Sequence, residues 1–145
     1  MDVVRDRLRY FSSAQSDRPA VVFGDRNVTY KELFQLVSLI QSQLRDSFRK
    51  NDRVAGFSVQ NQYCYASMLA ALAAGGSFCP ISKDTPPSRR TRFLELFNPG
   101  VILADSDGES TLRSTIGGEN WPIVNVEMLE FDNVPVVSPL QHDSE

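Results

Sequence analysis

Leu69-Ala70-Ala71-Leu72-Ala73-Ala74-Gly75-Gly76-Ser77-Phe78-Cys79-Pro80-Ile81-Ser82 carries the clearest structural signal in this chain. Residues 69–74 are uncharged, strong helix formers. Gly75 and Gly76 stop the helix, because glycine takes the left-handed conformation that many helix ends require. Ser77 to Ile81 is a short apolar run, the pattern of a strand buried on both faces. A buried helix that enters a buried strand through two glycines is the second half of a strand–helix–strand crossover.

Working outward, the same alternation recurs. Val54 to Val59 reads as a strand, Tyr63 to Ala74 as a buried helix, and Val101 to Ala104 and Ile123 to Val126 as further strands. Between them, Pro86-Pro87 marks a rigid turn and Ser88 caps a helix to about Phe97, with Phe93, Leu94, Leu96 and Phe97 inward; Asn98-Pro99-Gly100 ends it. Asp105 to Gly108 reads as a turn, with a helical turn over Thr111 to Ile116. Upstream, residues 2–12 carry Val4, Leu8 and Phe11 at helical spacing. Ala20 to Phe23, Gly24 to Asn27 and Val28 to Tyr30 spell a hairpin. Thr29-Tyr30-Lys31-Glu32 is a capping box. It opens a helix whose stripe is Leu33, Leu36, Val37, Ile40, Leu44 and Phe48, with Gln35, Ser38, Gln41, Ser42 and Arg45 toward water. The expected fold is α/β: a mainly parallel sheet, helices on both faces, right-handed crossovers, and the hairpin at its edge or on a neighbouring sheet. Residues 133–145 read as an extended tail.

At 145 residues the chain fits one domain, and 41% hydrophobic with 23% charged residues is ordinary for a soluble protein. The net charge of −3 is uneven: residues 1–104 carry +5 and residues 105–145 carry −8. No aromatic-interleaved basic patch points to nucleic acid, and no apolar run reaches the roughly 18 residues of a membrane span. Met1 to Phe11 is charged and lacks a signal-peptide core. Cys64 and Cys79 are expected as reduced, buried thiols of a cytoplasmic protein.

The residues give no catalytic centre. His142, the single histidine, falls in the tail and reads as solvated; no serine sits in a nucleophile elbow, no cysteine has a histidine expected within reach, and no Cys or His cluster suits zinc. Asp105-Ser106-Asp107-Gly108 has its glycine misplaced for a calcium loop. No phosphate-loop or dinucleotide fingerprint occurs, and Gly75-Gly76 and Gly117-Gly118 read as turns. Arg89, Arg90 and Arg92 read as a solvated helix face rather than an anion site.

Four stretches, in order and at these intervals, resemble a known family. Pro19 to Asp25 followed by Val28-Thr29-Tyr30-Lys31-Glu32-Leu33 is similar to the first core motif of adenylate-forming enzymes. Leu72 to Ser82 is similar to the second core motif. Asp84-Thr85-Pro86-Pro87-Ser88-Arg89 and Phe93 to Asp105 are similar to the segments that succeed it in that family. The pattern looks most like the amino-acid adenylation domains of nonribosomal peptide synthetases. Ala73 stands where that family commonly has lysine and Ser82 where it has aspartate.

The resemblance implies an N-terminal part of an adenylation domain, a single partial domain over 1–145 that matches best over 1–105. It implies ATP and magnesium in the complete enzyme, formation of an acyl-adenylate, and transfer to the phosphopantetheine thiol of a carrier protein. The family's phosphate loop, adenine and ribose motifs and catalytic lysine would lie downstream. No catalytic, cofactor-binding or metal-binding residue is therefore assigned here, and the chain alone is expected to be inactive. Its expected partners are the remainder of the domain and, through an exposed apolar face, other copies of itself. The alternatives are a non-catalytic binding module on the same fold and an unrelated nucleotide-binding α/β domain.

Overall fold

A computed structural model describes residues 3–14, 17–23, 26–57, 62–116 and 121–129. In chain order they form α1 (Val3–Ala14), β1 (Pro19–Phe23), β2 (Arg26–Thr29), α2 (Tyr30–Ser47), β3 (Arg53–Phe57) and α3 (Gln62–Ala73). Then come β4 (Ser77–Ile81), α4 (Pro87–Phe97), β5 (Val101–Ala104), α5 (Ser106–Ile116), β6 (Ile123–Asn125) and a 3-10 turn over Val126–Met128. Strands β4-β3-β5-β6 lie side by side in that order, all parallel. The hairpin β1-β2 is antiparallel and forms its own sheet, the second of the two placements expected.

Alternation along the strands sends side chains to two cores. Val54, Val101 and Leu103 join Leu33, Leu36, Val37, Ile40 and Leu44 of α2 and the alanines of α3 on one face. Ala55, Phe57, Ile102 and Ala104 meet Leu94 of α4, Leu112 of α5 and Trp121 on the other. Helices thus cover both faces, which is why β5 is fully buried.

The glycine turn forms as its composition dictates. Gly75 N–H donates to Leu72 O at 3.0 Å and Gly76 N–H to Ala71 O at 2.9 Å, the paired bonds that close a helix over a left-handed residue. Gly75 is that residue, with φ +89°. Gly76 is required for space instead: a Cβ there would meet Asp52 O at 2.5 Å. Upstream, Glu32 N–H donates to Thr29 Oγ1 at 3.1 Å and Thr29 N–H donates to Glu32 Oε1 at 2.9 Å, so the capping box is reciprocal.

Several expectations need correction. Strand β4 is not buried on both faces: it is a sheet edge, with Ser77 and Pro80 exposed and Phe78 and Cys79 half-buried. Gln41, expected toward water, is 5% exposed, and Leu39, outside the predicted stripe, is 4% exposed. Helix α2 packs on both α1 and α3, which widens its buried arc. Helix α4 is opened by Pro87 with Pro86 as its flanking residue, and no side chain caps it, so Ser88 is not the cap. Leu96 faces outward, 74% exposed. Asp105 is the start of a helix rather than of a turn: Gly108 N–H donates to its Oδ1 at 2.6 Å and Glu109 N–H to its backbone O at 2.8 Å. The tail over 133–145, His142 and Gly117-Gly118 lie outside the described residues.

Candidate functional site

Open parallel sheets bind ligands beyond the carboxyl ends of their strands. Beyond β5 and β6 that edge carries a polar network. Asn125 Nδ2 donates to Ser106 Oγ and to Glu109 Oε1, both at 3.1 Å. Ser106 N–H donates to Glu127 Oε1 at 2.6 Å, and Arg113 Nε donates to Glu109 Oε2 at 2.9 Å. The hydrogen bond from Arg113, then that from Asn125, hold the Glu109 carboxyl below the usual glutamate range. A carboxylate made more acidic and already held by donors is poorly suited to act as a general acid near neutrality. The network ties the first turns of α5 to β6.

Beyond β4 lies an open groove of about 180 Å³, lined by Pro80, Ile81, Ser82, Thr85, Arg89 and Phe93. Ligand pockets usually reach roughly 300–1,000 Å³, so this groove is small for a nucleotide. Arg89 and Arg92 are exposed, as expected of a solvated helix face. Arg90 is not: it is 3% exposed, its guanidinium lies 4.8 Å from the centroid of the Phe57 ring, and Nη2 donates to Thr85 O at 3.1 Å. Nothing in the spacing of three arginines distinguishes the buried one. The signal is tertiary, because Phe57 approaches from a strand 33 residues upstream.

At the opposite end of the sheet, Arg53 Nε donates to Phe97 O at 2.7 Å, and its Nη2 to Asn98 O at 3.2 Å. Asn98 is left-handed, with φ 47°, and its Oδ1 accepts from Trp121 Nε1 at 3.1 Å. This cluster closes the end of α4 and anchors the segment entering β6.

Cys64 and Cys79 are free and half-buried rather than buried, and desolvation raises both thiol pKa values. Among the described residues no three His, Cys, Asp or Glu side chains gather to hold a metal ion, and no helix is long and apolar enough to cross a membrane. An anionic nucleotide needs converging N–H and cationic donors. Beyond β5 and β6 the described sheet edge offers Asp105, Glu109 and Glu127 instead, each accepting from the protein's own groups. The described residues beyond β5 and β6 therefore do not fit ATP and its magnesium, and no reaction step is derived through them.

The profile of the AMP-binding enzyme family matches residues 8–144. Nonribosomal peptide synthetase inpB of Emericella nidulans is 30% identical over 138 residues, 92% of this chain and 6% of that protein. N-(5-amino-5-carboxypentanoyl)-L-cysteinyl-D-valine synthase of Amycolatopsis lactamdurans is 26% identical over 126 residues, 86% of this chain and 3% of that protein. The chain thus spans a few hundredths of these relatives' length. Among solved structures, a nonribosomal peptide synthetase in its alpha-methyl-L-serine-AMP-bound form superposes with a TM-score of 0.76 at 24% identity, covering 93% of this chain and 15% of that one. The N-terminal subdomain of Klebsiella oxytoca NpsA superposes with a TM-score of 0.67 at 22% identity, covering 89% of this chain and 31% of that one. The order of helices and strands, the two-glycine turn and these likenesses agree: the chain belongs to the AMP-binding enzyme family, as an N-terminal portion of an adenylation domain of the nonribosomal-peptide-synthetase kind.

Proposed function

We propose that this chain is the structural opening part of an ATP-dependent adenylation domain that activates an amino acid or other carboxylic acid as its acyl-adenylate. In the complete enzyme magnesium accompanies ATP, and the phosphopantetheine thiol of a carrier protein takes the acyl group. The chain's part is a partial domain over 1–145 that supplies a packed sheet and wall; it works in the cytoplasm and is inactive alone. The reading rests on the family match over residues 8–144 in a chain that spans 31% of one solved N-terminal subdomain. It is supported by the carboxylates beyond β5 and β6, which are acceptors held by the protein's own groups rather than the preorganised donors that phosphoryl and acyl transfer require.

ATP–pyrophosphate exchange is the test. The purified chain is expected to show none with any amino acid, and robust exchange would overturn the assignment of a purely structural part. Exposed Val22, Tyr65, Leu72 and Leu96 are surfaces for the remainder of the domain or for self-association. Light scattering is expected to show association that grows with concentration, and a clean monomer with little dye-binding surface would contradict it.

A further inference from the structure

Helix α4 has two faces of different kinds, and we propose that its outer face, with the groove beyond β4, docks an acidic amphipathic helix of another protein. Such a docking role is additional to the structural one proposed above. Arg90 and Leu94, four residues apart, face the sheet and are buried. Arg89, Arg92, Phe93 and Leu96 recur at i, i+3, i+4 and i+7, so they form a stripe away from it. Arg89 and Arg92 are exposed, as is Leu96. Phe93 is half-buried, its ring stacked on that of Phe97 with centroids 5.4 Å apart. Arg89 and Phe93 also line the groove beside Pro80 and Ile81, so stripe and groove are one surface. Leu96 differs from the exposed Tyr65 and Leu72, whose helix carries no charged residue: its neighbours on the stripe are two guanidinium groups.

The charges choose the partner. Among the described residues the guanidinium groups of Arg89 and Arg92 make no ion pair or hydrogen bond. Glu95 is the single acid of α4 and is turned about 100° from Leu96, so the stripe itself carries two cations and no carboxylate. Acidic residues three or four apart on a partner helix match two arginines three apart. An exposed pair adds little affinity. The arginines therefore set selectivity and encounter rate, and an apolar side chain entering the groove supplies the anchor. At about 180 Å³ the groove, too small for a nucleotide, is room for a single leucine-sized anchor. Pro80 is exposed on the edge strand and has no N–H to donate, so an added strand is disfavoured there and a helix laid along α4 is the fitting mode.

Fluorescence anisotropy with a short labelled helical peptide tests this. The probe carries leucines at i, i+3, i+4 and i+7 with glutamates beside them; one control replaces each glutamate with glutamine and another with lysine. The chain is expected to bind the glutamate peptide saturably at low salt, and the glutamine peptide roughly 3–10-fold more weakly. Arg89→Glu combined with Arg92→Glu is expected to turn the preference to the lysine peptide, and Leu96→Asp to weaken binding of all three. These side chains are exposed, so the variants keep the fold, which circular dichroism checks. Equal binding of the three peptides, a preference that the arginine variants leave in place, or no binding at all would overturn the inference. Self-association abolished by the arginine variants would assign this face to a second copy and overturn it as well. The same titration on one polypeptide joining this chain to the rest of the adenylation domain of the Emericella nidulans relative separates the two claims. Pyrophosphate exchange without peptide binding would give the face to the rest of the domain and sink the inference alone. Peptide binding without exchange would count against the proposed function alone.

Discussion

Gly75 sits at φ +89° with open space around the position of a Cβ, so a substitution there meets backbone strain and nothing else. Gly75→Ala is expected to destabilise by about 1 kcal/mol in denaturant unfolding, the left-handed cost of an alanine; an unchanged midpoint would contradict the assignment. Thr29→Ala removes one half of a reciprocal cap and is expected to lower stability by about 1 kcal/mol. Both residues were legible in the sequence, because local backbone geometry is what glycine pairs and capping boxes encode. Arg90 and Gln41 were not. Their burial depends on Phe57 and on two flanking helices, which no local pattern reports. Glu109 gives a pH prediction. Its carboxyl is held below its ordinary range by Arg113 and Asn125, so the folded state binds that proton less readily than the unfolded chain. The stabilisation is present above the unfolded pKa of about 4.3 and is lost as pH falls through the lower folded value. Glu109→Gln should cost ~0.5 kcal/mol at neutral pH, the scale of an exposed helical pair, and little in strong acid. A cost that did not shrink on acidification would contradict this origin.

Helix α4 shows what periodicity conveys about an element and what it leaves out. Its apolar residues predict a buried stripe, and Leu94 is fully buried while Leu96, two residues on, is 74% exposed. Successive residues turn by about 100° on a helix, so a cluster of apolar letters cannot all share one face. Leu94→Ala is expected to cost about 2–5 kcal/mol, and Leu96→Ala less than ~0.5 kcal/mol; equal effects by thermal unfolding would contradict the packing. Strand β4 differs for another reason. Its apolar run matches a central strand, but sheet order depends on pairings between distant segments, and β4 ends at the edge with Pro80 as the sign. The start of α5 was hidden for a chemical reason. Asp-Ser-Asp-Gly suits both a turn and a helix cap, and the capping bonds of Asp105 settle it in favour of the helix.

For the whole molecule, one parallel sheet between two helical layers accounts for both buried cores and places the glycine turn between α3 and β4. That architecture was readable from alternating elements because each crossover is short and locally encoded. The expectation that no catalytic residue lies in this stretch rests on a single histidine and on the lack of a phosphate-loop pattern. The polar network beyond β5 and β6 was not, since Ser106, Glu109, Asn125 and Glu127 meet only once β5 and β6 pair. That network uses its carboxylates to hold α5, which is a scaffold's use of charge. We propose that the groups that bind ATP are not among this chain's residues. Isothermal titration of ATP with magnesium tests it most directly. No saturable heat is expected up to millimolar nucleotide for this chain alone, and saturable binding at one site is expected once the rest of the domain is joined to it. Tight, stoichiometric ATP binding by the chain alone would contradict it.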